Sequence, residues 1–492
     1  MLYLTKHNDV YIRIEVDDPG ILFELDDYFK FRVPGYRFMP AFKTGQWDGF
    51  VHLFSTRNRV LYIGLINHIE KFAKHYKIKY TVSPELDEAF SIDYEYVTPE
   101  LELNVKGVGI IPYDYQEASV RFAIERKRGI ILAPTSSGKS LIQYLIVREW
   151  MKSVDKILIL VPTISLVKQL SSDFLDYSST DDDFDESMVH QISGGREKDA
   201  ESQIYISTWQ SIFKQPKDYF DKFGAIMCDE VHTAKANSIT KILEKLSDCP
   251  LRIGLTGTLS ADDTKTNKLV LEGLFGPVYN AVTTKKLMDD KTIAPLKIKS
   301  LLLKYGEEDT KNCKKLNYQQ EIDWIVTHPA RNEFIIRLAL LQKRNTLILF
   351  NFVEKHGKVL YEMIKDAESE RPVYFVSGEV EADDREEIRR LTEGHSNAII
   401  IASMGVFSTG VNIRNLHVMI FAHPSKSRIR VLQSIGRILR KSDNKDTAIM
   451  FDLADDLRHK KHKNYGLKHW EIRIKTYNEQ KFDYEISKIR LQ

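Results

Sequence analysis

The stretch from Gly129 to Ser140 constrains the fold of this chain more than any other part of its sequence. It reads Gly-Ile-Ile-Leu-Ala-Pro-Thr-Ser-Ser-Gly-Lys-Ser, and its apolar start predicts a short buried strand. Apolar residues at helical spacing follow over residues 140–151, so the polar middle is a turn between strand and helix. A phosphate-binding loop requires this order, although Ala133 stands where the usual pattern opens with glycine. The alternative is an ordinary polar turn.

A loop of this kind holds anions because its backbone N–H groups converge at a helix N-terminus, where the helix dipole also favours negative charge. Lys139 can then reach the β and γ phosphates of ATP, and the Ser140 hydroxyl can bind Mg²⁺. Gln116 opens a predicted helix upstream, and its amide can both donate to and accept from adenine. The residues predicted to contact ATP are Gln116, Pro134, Thr135, Ser136, Ser137, Gly138, Lys139 and Ser140.

Short apolar strands alternate with helical patterns over residues 129–260, which predicts a parallel sheet with crossover helices. One of these strands, residues 225–228, is followed directly by Asp229 and Glu230. In a phosphate-loop ATPase the first of two such carboxylates holds Mg²⁺, and the second activates the attacking water. The alternative is a solvated strand end, but two carboxylates beside a buried strand are costly unless they have a function.

A second alternating set of strands begins near Asn345 and contains no phosphate loop. Residues 281–300 are predicted to be the hinge between the two sheets. Late in the second set, Arg437 and Arg440 are three residues apart, so both are expected to face the same way from one helix. Guanidinium groups suit phosphate oxygens in a transition state. We therefore expect ATP between two sheets that close on it; the alternative is a basic surface helix.

The N-terminal part of the chain has an uneven charge, although the net charge of all 492 residues is only +2. Residues 30–80 carry ten Lys/Arg against two Asp/Glu, and aromatic residues are interleaved with the basic ones. Basic side chains neutralise phosphates and aromatic faces stack on bases, so Arg37, Lys43 and Trp47 are candidate nucleic-acid contacts. The alternative is a small α/β domain whose aromatic residues form its core.

Other segments are interpreted from composition. Residues 81–111 are predicted to be a linker, the acidic residues 171–189 a solvated loop, and the basic residues 458–475 a nucleic-acid-facing or solvated helix. No apolar run approaches a membrane span, and the N-terminus lacks the apolar core of a signal peptide, which predicts a cytoplasmic protein. Three scattered cysteines fit a reducing compartment without disulfides.

The order of the motifs resembles that of superfamily 2 helicases over residues 112–455. Besides the phosphate loop and the paired carboxylates, the resemblance rests on Tyr115-Gln116, Val161-Pro-Thr163, Thr256-Gly-Thr258, Ser403–Asn412 and Gln433–Arg440. Thr-Gly-Thr departs from the commoner Ser-Ala-Thr of that superfamily but keeps hydroxyls at both ends. By this resemblance, ATP also contacts Gly410, the γ-phosphate is faced by Gln433, Arg437 and Arg440, and the site is coupled to DNA by His232, Thr256 and Thr258.

A closer resemblance, to the UvsW family of recombination and repair helicases of T-even-type bacteriophages, extends over nearly the whole chain. It is carried by Tyr36-Arg-Phe, Gly45–Gly49, Ile206–Ile212, Tyr374–Val380 and Gly405–Gly410. The resemblance implies fork regression, four-way-junction migration and unwinding of R-loops and D-loops, usually with 3′-to-5′ polarity. The implied contacts to the DNA backbone are Thr163, Gly194, Gly195, Thr208, Ser377 and Thr409.

We therefore predict an α/β protein with two tandem RecA-like parallel-sheet domains, at residues 96–290 and 291–457. A small N-terminal α/β domain (1–95) and a basic helical C-terminal tail (458–492) flank them. The expected partners are forks, four-way junctions, R-loops and RNA–DNA hybrids, with single-strand-binding or recombination proteins as candidates, and the protein is expected to be a monomer in a host cytoplasm. Two other functions stay open: a duplex-DNA translocase that does not separate strands, and an ATP-dependent nucleic-acid clamp.

Overall fold

The structure, a computed structural model, consists of two compact units. It describes residues 1–92, 96–97, 102–105, 107–192, 197–233, 237–259, 265–368, 370–380, 382–409, 413, 415–441 and 445–491. The first unit comprises Met1–Ala133 and Gly138–Ala281, and the second comprises Pro134–Ser137 and Val282–Gln492. No helix among these described residues combines the length and apolar character needed to cross a membrane.

An N-terminal module opens the first unit with a five-stranded sheet of order β5-β6-β2-β1-β7, in which only β1 and β7 are parallel. A separate antiparallel pair, β3 and β4, forms the base of a segment that we call the arm, residues 30–52. The elements are β1 (Leu2–Lys6), β2 (Tyr11–Val16), α1 (Gly20–Phe29), β3 (Lys30–Arg32), α2 (Pro40–Lys43), β4 (Phe50–His52), β5 (Phe54–Ser55), β6 (Val60–Tyr62), α3 (Ile66–Tyr76), β7 (Tyr80–Val82), α4 (Pro84–Asp87), and the antiparallel pair β8 (Leu103–Val105) and β9 (Val108–Ile110).

The rest of the first unit is a wholly parallel sheet of seven strands in the order β12-β13-β11-β14-β15-β10-β16. Alternate residues of its strands enter different cores, with Ile131 and Ile159 on one face and Ile130 and Leu158 on the other. Helices cover both faces, which explains why these strands are continuous apolar runs. The elements are α5 (Asp114–Arg126), β10 (Arg128–Leu132), α6 (Lys139–Trp150), β11 (Ile157–Val161), α7 (Ile164–Tyr177), β12 (Val189–Ile192), β13 (Ile204–Thr208), α8 (Trp209–Ile212), α9 (Lys217–Phe220), β14 (Ala225–Cys228), α10 (Asn237–Lys245), β15 (Leu251–Thr256), α11 (Lys265–Phe275) and β16 (Val278–Asn280).

The N-terminal module packs on helices α10 and α11 of this unit. Tyr11 and Tyr62 stack with ring centroids 5.3 Å apart, and the Tyr62 hydroxyl donates to Glu244 of α10 at 2.6 Å. Burial and the Glu244 carboxylate together raise the pKa of Tyr11 to about 12, so both hydroxyls stay protonated as donors. His68 contacts Glu272 of α11 at 2.8 Å. These half-buried polar contacts fix the module to the sheet domain.

Gly64 brings the module closest to α11. A β-carbon at residue 64 would meet the carbonyl oxygen of Glu272 and would lie 2.8 Å from that of Gly273. Since these are backbone atoms, Gly64→Ala is expected to force the module off α11 and to lower the free energy of unfolding by about 1–3 kcal/mol. Thermal unfolding of the full chain measures this. The matched control is Gly109→Ala, where a β-carbon meets nothing within 4 Å; equal losses in both variants would contradict the packing argument.

The second unit contains a seven-stranded parallel sheet in the order β19-β20-β18-β21-β22-β17-β23. If the strands of each large sheet are numbered from one to seven along the chain, both sheets have the same order, 3-4-2-5-6-1-7. The elements are α12 (Thr284–Asp289), β17 (Leu296–Lys304), α13 (Glu307–Cys313), α14 (Tyr318–Thr327), α15 (Pro329–Leu340), β18 (Thr346–Phe350), α16 (Val359–Ala367), β19 (Val373–Val376), α17 (Ala382–Gly394), β20 (Ile399–Ser403), α18 (Met404–Thr409), β21 (Val418–Phe421), α19 (Arg428–Ile438), β22 (Ala448–Asp456), α20 (Tyr465–Glu479) and β23 (Tyr484–Arg490).

The C-terminal segment is more integrated than its basic composition indicates. Arg473 of α20 is buried and donates to Asp452 of β22 at 2.9 Å, and Trp470 donates to Ser300 of β17 at 2.7 Å. Strand β23 then pairs with β17 as the last strand of the sheet. Lys468 and Lys475 lie on the exposed face of α20, while Arg473 and the other buried residues of the helix complete the second unit.

Three of the loop and linker predictions need correction. The predicted hinge at 281–300 includes the start of β17, whose alternating lysines hide a strand paired on both sides. The predicted linker at 81–111 contains α4 and the β8–β9 pair, and Leu103 is buried in the core of the first large sheet. Within the acidic stretch, residues 171–177 continue α7, and Asp181 pairs with Arg148 at 2.8 Å.

Candidate ATP and nucleic-acid site

The phosphate loop connects the end of β10 to the start of α6. Ser136 and Gly138 have left-handed backbone conformations, with φ angles of 71° and 75°, which lets the chain turn sharply between strand and helix. Lys139, the first residue of α6, donates from Nζ to the carbonyl oxygen of Ala133 at 3.3 Å. Its ammonium group therefore folds back over the loop. A group that is to bind a phosphate held by the loop has to lie there.

Gln116 and Ser140 are each held by a partner. The side-chain oxygen of Gln116 accepts from the backbone N–H of Tyr113 at 2.9 Å, and its nitrogen lies against Gly138. The hydroxyls of Ser140 and Tyr177 are 2.8 Å apart. Tyr177 was not singled out from the sequence, since it lies at the far end of α7 and only the fold brings it to the loop.

Asp229 follows β14 directly, and its backbone N–H donates to Leu160 of the neighbouring strand at 2.8 Å. Its Oδ1 atom is buried and accepts no hydrogen bond from the described residues. Burial raises the pKa of Asp229, the charge of Glu230 raises it further, and Lys139 lowers it. A buried carboxylate oxygen beside a second carboxylate and a hydroxyl-bearing loop fits a divalent cation such as Mg²⁺, which prefers oxygen ligands.

Glu230 begins a continuous chain of polar contacts. Its φ angle of 50° is left-handed, a conformation that costs a non-glycine residue about 1–3 kcal/mol and is typical of functional sites. His232 Nδ1 lies 3.2 Å from Glu230 Oε2 and 2.8 Å from the Thr256 hydroxyl. Thr256 in turn donates to the carbonyl oxygen of Thr258 at 3.1 Å. The structure thus joins the carboxylate pair to the turn after β15.

Two predicted backbone contacts of nucleic acid meet at one sheet edge. Thr163 caps the N-terminus of α7, and Thr208 ends β13, whose partner strand β11 leads to Thr163. The Thr208 hydroxyl is buried and lies 2.9 Å from Ser211, so this side chain is already bonded within the protein. Gly194 and Gly195 lie outside the described residues.

In the second unit, Gln433 and Arg437 lie on α19, and the Arg437 guanidinium lies 5.7 Å from the ring centre of Phe407. The prediction that Arg437 and Arg440 lie on one helix is wrong, because α19 ends at Ile438, before Arg440. Ser377, which follows β19, is buried and accepts from the N–H of Glu379 at 3.3 Å. The side chain of Thr409 and the whole of Gly410 lie outside the described residues.

The arm of the N-terminal module carries its basic and aromatic residues on the surface. Arg37 and Lys43 are exposed, and Phe38 between them is 82% exposed. Arg32 lies over the rings of Tyr36 and Phe50, with distances of 4.6 and 4.3 Å to the ring centres. Trp47 donates from its indole nitrogen to the carbonyl oxygen of Phe50 at 2.6 Å. The fully buried residues of the module core lie outside the arm, and of the aromatic residues of the arm Phe31 packs against that core.

Three family descriptions match this sequence. Residues 3–83 match "DNA helicase UvsW, N-terminal", residues 109–261 match "Type III restriction enzyme, res subunit", and residues 330–442 match "Helicase conserved C-terminal domain". The matched regions correspond to the N-terminal module and to most of the two large sheets.

Individual relatives agree with these matches. The chain is 38% identical over 506 residues to the "ATP-dependent DNA helicase uvsW" of Enterobacteria phage T4, covering 99% of each. It is 28% identical to the "DNA 3'-5' translocase XPB2" of Sulfurisphaera tokodaii over 67% of this chain and 79% of that one. The crystal structure of T4 UvsW matches with a TM-score of 0.53 and 36% identity, and both chains are covered completely.

Proposed function

Because the chain belongs to the UvsW family of ATP-dependent DNA helicases, we propose that it uses ATP hydrolysis to remodel branched DNA. The proposed reactions are fork regression, migration of four-way junctions and unwinding of R-loops and D-loops. The observation that carries the proposal is that Lys139, Ser140 and the carboxylate pair lie in the same compact unit as an exposed basic, aromatic arm. We further propose a monomer that acts in the cytoplasm of a host cell.

In this proposal Lys139 and the loop N–H groups hold the phosphates, and Ser140 and Asp229 hold Mg²⁺, which neutralises phosphate charge when bound. Glu230 accepts a proton from the attacking water while the oxygen of that water bonds to the γ-phosphorus. The bond between the γ-phosphorus and the bridging oxygen breaks, and ADP and phosphate leave. Gln433, Arg437 and Arg440 are assigned to the γ-phosphate by motif, where guanidinium groups stabilise the developing charge.

Coupling to DNA is assigned to the polar contacts between Glu230 and Thr258. A shift of Glu230 as the γ-phosphate leaves would be transmitted through His232 to Thr256, because His232 Nδ1 lies 3.2 Å from Glu230 Oε2 and 2.8 Å from the Thr256 hydroxyl. Thr163, Thr208 and Ser377 are assigned to a backbone path, and their buried or capped hydroxyls favour contacts through loop N–H groups. Phosphate contacts of this kind position DNA without reading its sequence.

The arm supports a preference for branched substrates. Arg37 and Lys43 supply charge for phosphates, and the exposed Phe38 supplies an aromatic face on which an unpaired base can stack. Duplex tracking alone needs phosphate contacts but no aromatic face. The runner-up function, a duplex translocase without strand separation, rests on the similarity to a protein described as a 3′-5′ translocase.

The test pairs the ATPase rate with product formation on single strand, duplex, fork, four-way junction and RNA–DNA hybrid loop. We expect stimulation and product on forks and junctions. Lys139→Ala, which removes the phosphate-binding ammonium group, is expected to abolish turnover on every substrate. Stimulation by plain duplex with displacement of a triplex strand, and no product on branched substrates, would favour the translocase. Tight DNA binding without multiple turnover would favour a clamp.

A further inference from the structure

We propose that the cleft between the N-terminal module and helices α10 and α11 binds a phosphodiester backbone, and so forms a second nucleic-acid site that only the base of the arm, at Val51 and His52, borders. The cleft has a volume of about 1260 Å³. Its module side is formed by residues of β2 and the β5–β6 turn, and its other side by Thr240 of α10 and by Thr266 and Asn267 of α11. The inference rests on the proposed function, since it adds a second DNA contact to that activity.

Three arginines converge on this cleft. Arg13 lies on β2, and Arg57 and Arg59 lie in the turn between β5 and β6. All three are exposed, and none of their side chains forms an ion pair or hydrogen bond with a described residue. Elsewhere in the same unit, Arg148 pairs with Asp181 and Arg252 donates to the Cys249 carbonyl oxygen. Uncompensated guanidinium groups at a concave site are suited to phosphate oxygens.

The remaining polar groups agree with a backbone ligand. Hydroxyl and amide side chains such as those of Thr240, Thr266 and Asn267 contact phosphates in protein–DNA complexes without reading bases. Two carboxylates also line the cleft. Asp26 is already engaged by His52 at 2.8 Å, whereas Glu15 has no ion-pair partner among the described residues. The arginines therefore outnumber the uncompensated carboxylates.

The position of the cleft gives the site a function. Helix α11 follows the Thr256–Thr258 turn along the chain, and α10 follows the carboxylate pair. A DNA backbone held in the cleft would therefore contact the two helices that come directly after the hydrolysis and coupling residues. The stacked tyrosines Tyr11 and Tyr62 and the close approach at Gly64 keep the module at a fixed position on these helices.

The test is a salt titration of DNA binding by the full-length variant Arg13→Ala/Arg57→Ala/Arg59→Ala. Three lost phosphate contacts should reduce the slope of log affinity against log salt by about 2–3, with a loss of roughly tenfold or more in affinity at moderate salt. The matched control, Lys71→Ala/Lys74→Ala/Lys79→Ala, removes three exposed and unpaired charges outside the cleft and should change the slope by less than about 1. Glu15→Gln should raise affinity, because it removes an opposing charge.

The probes are a 30-nucleotide single strand and the corresponding duplex, and the form whose binding the triple variant loses identifies the occupant. Unchanged melting temperature and unchanged ATPase rate without DNA exclude a folding defect. A slope equal to that of wild type, or an equal loss in the lysine control, overturns the cleft site while leaving the proposed function intact. Absence of DNA binding by the wild-type protein would overturn both.

Discussion

Replacing Glu230 with glutamine is expected to lower the rate of ATP hydrolysis by roughly 100- to 10,000-fold, the range that a general base contributes. Glutamine keeps the size of the side chain, but its amide cannot accept a proton from water at neutral pH. ATP and DNA binding should be retained, because Lys139 and the phosphate loop are unchanged. Single-turnover hydrolysis and equilibrium binding of a fluorescent ATP analogue measure the two quantities separately.

The control for this variant is Glu201→Gln, which makes the same chemical change at an exposed position of the same unit. It should hydrolyse ATP at the wild-type rate. The strained φ angle of Glu230 does not confound the comparison, since glutamine and glutamate have the same backbone preferences. Normal turnover by Glu230→Gln would remove Glu230 from its assigned role, and loss of ATP binding would point to a structural defect instead.

Replacing Arg331 with methionine is expected to lower the unfolding free energy of the second unit by about 3–5 kcal/mol, as removal of one partner from a buried ion pair does. Arg331 is wholly buried in α15. It bonds Asp455 of β22 at 2.7 Å and donates to the carbonyl oxygen of Ala422 at 2.7 Å. Tyr305 also donates to Asp455 at 2.7 Å. With methionine at residue 331, the buried Asp455 carboxylate would keep the Tyr305 hydroxyl as its one hydrogen-bond donor among the described residues.

The matched control lies on the same helix. Arg337 pairs with Glu333 at 3.2 Å, but both side chains are more than half exposed, so Arg337→Met should cost less than about 1 kcal/mol. Denaturant unfolding followed by the fluorescence of Trp324, whose ring centre lies 5.3 Å from that of Tyr305, reports on this region. The double variant Arg331→Met/Asp455→Leu should recover part of the loss. Equal effects at Arg331 and Arg337 would contradict the argument.

The parts of the candidate site that can be predicted from sequence are those that depend on a short local pattern. The phosphate loop and the Asp229–Glu230 pair each follow an apolar strand, so the strand and the turn can be recognised within about a dozen residues, and the roles assigned to these residues stay predictions. The hydrogen bond between His232 and Thr256 joins residues 24 positions apart. The resemblance assigns both residues to coupling but does not predict a hydrogen bond between them.

Features that depend on distant pairing were missed. The strand β17 alternates lysine with apolar residues, and β23 carries mostly exposed side chains, so neither resembles a strand of a buried parallel sheet. Arg331 and Asp455 are 124 residues apart, and nothing in the sequence near either residue indicates the other. Arg440 was assigned to a helix because spacing was extrapolated past the point where α19 ends.

The common strand order of the two large sheets is what duplication of one ancestral domain would leave. Strand β17 then corresponds to β10, yet it is followed by Tyr305 rather than by a phosphate loop, and Asp455, the penultimate residue of β22, is bonded by Arg331. In the first copy, Asp229 follows β14 at the carboxyl edge of the sheet, and its buried Oδ1 atom accepts no hydrogen bond from a described residue. The second copy thus holds a buried carboxylate with an internal arginine, whereas the first leaves a carboxylate oxygen for an added cation. The fold of the second copy should therefore need no bound cation, whereas the first copy should gain stability when ATP and Mg²⁺ bind.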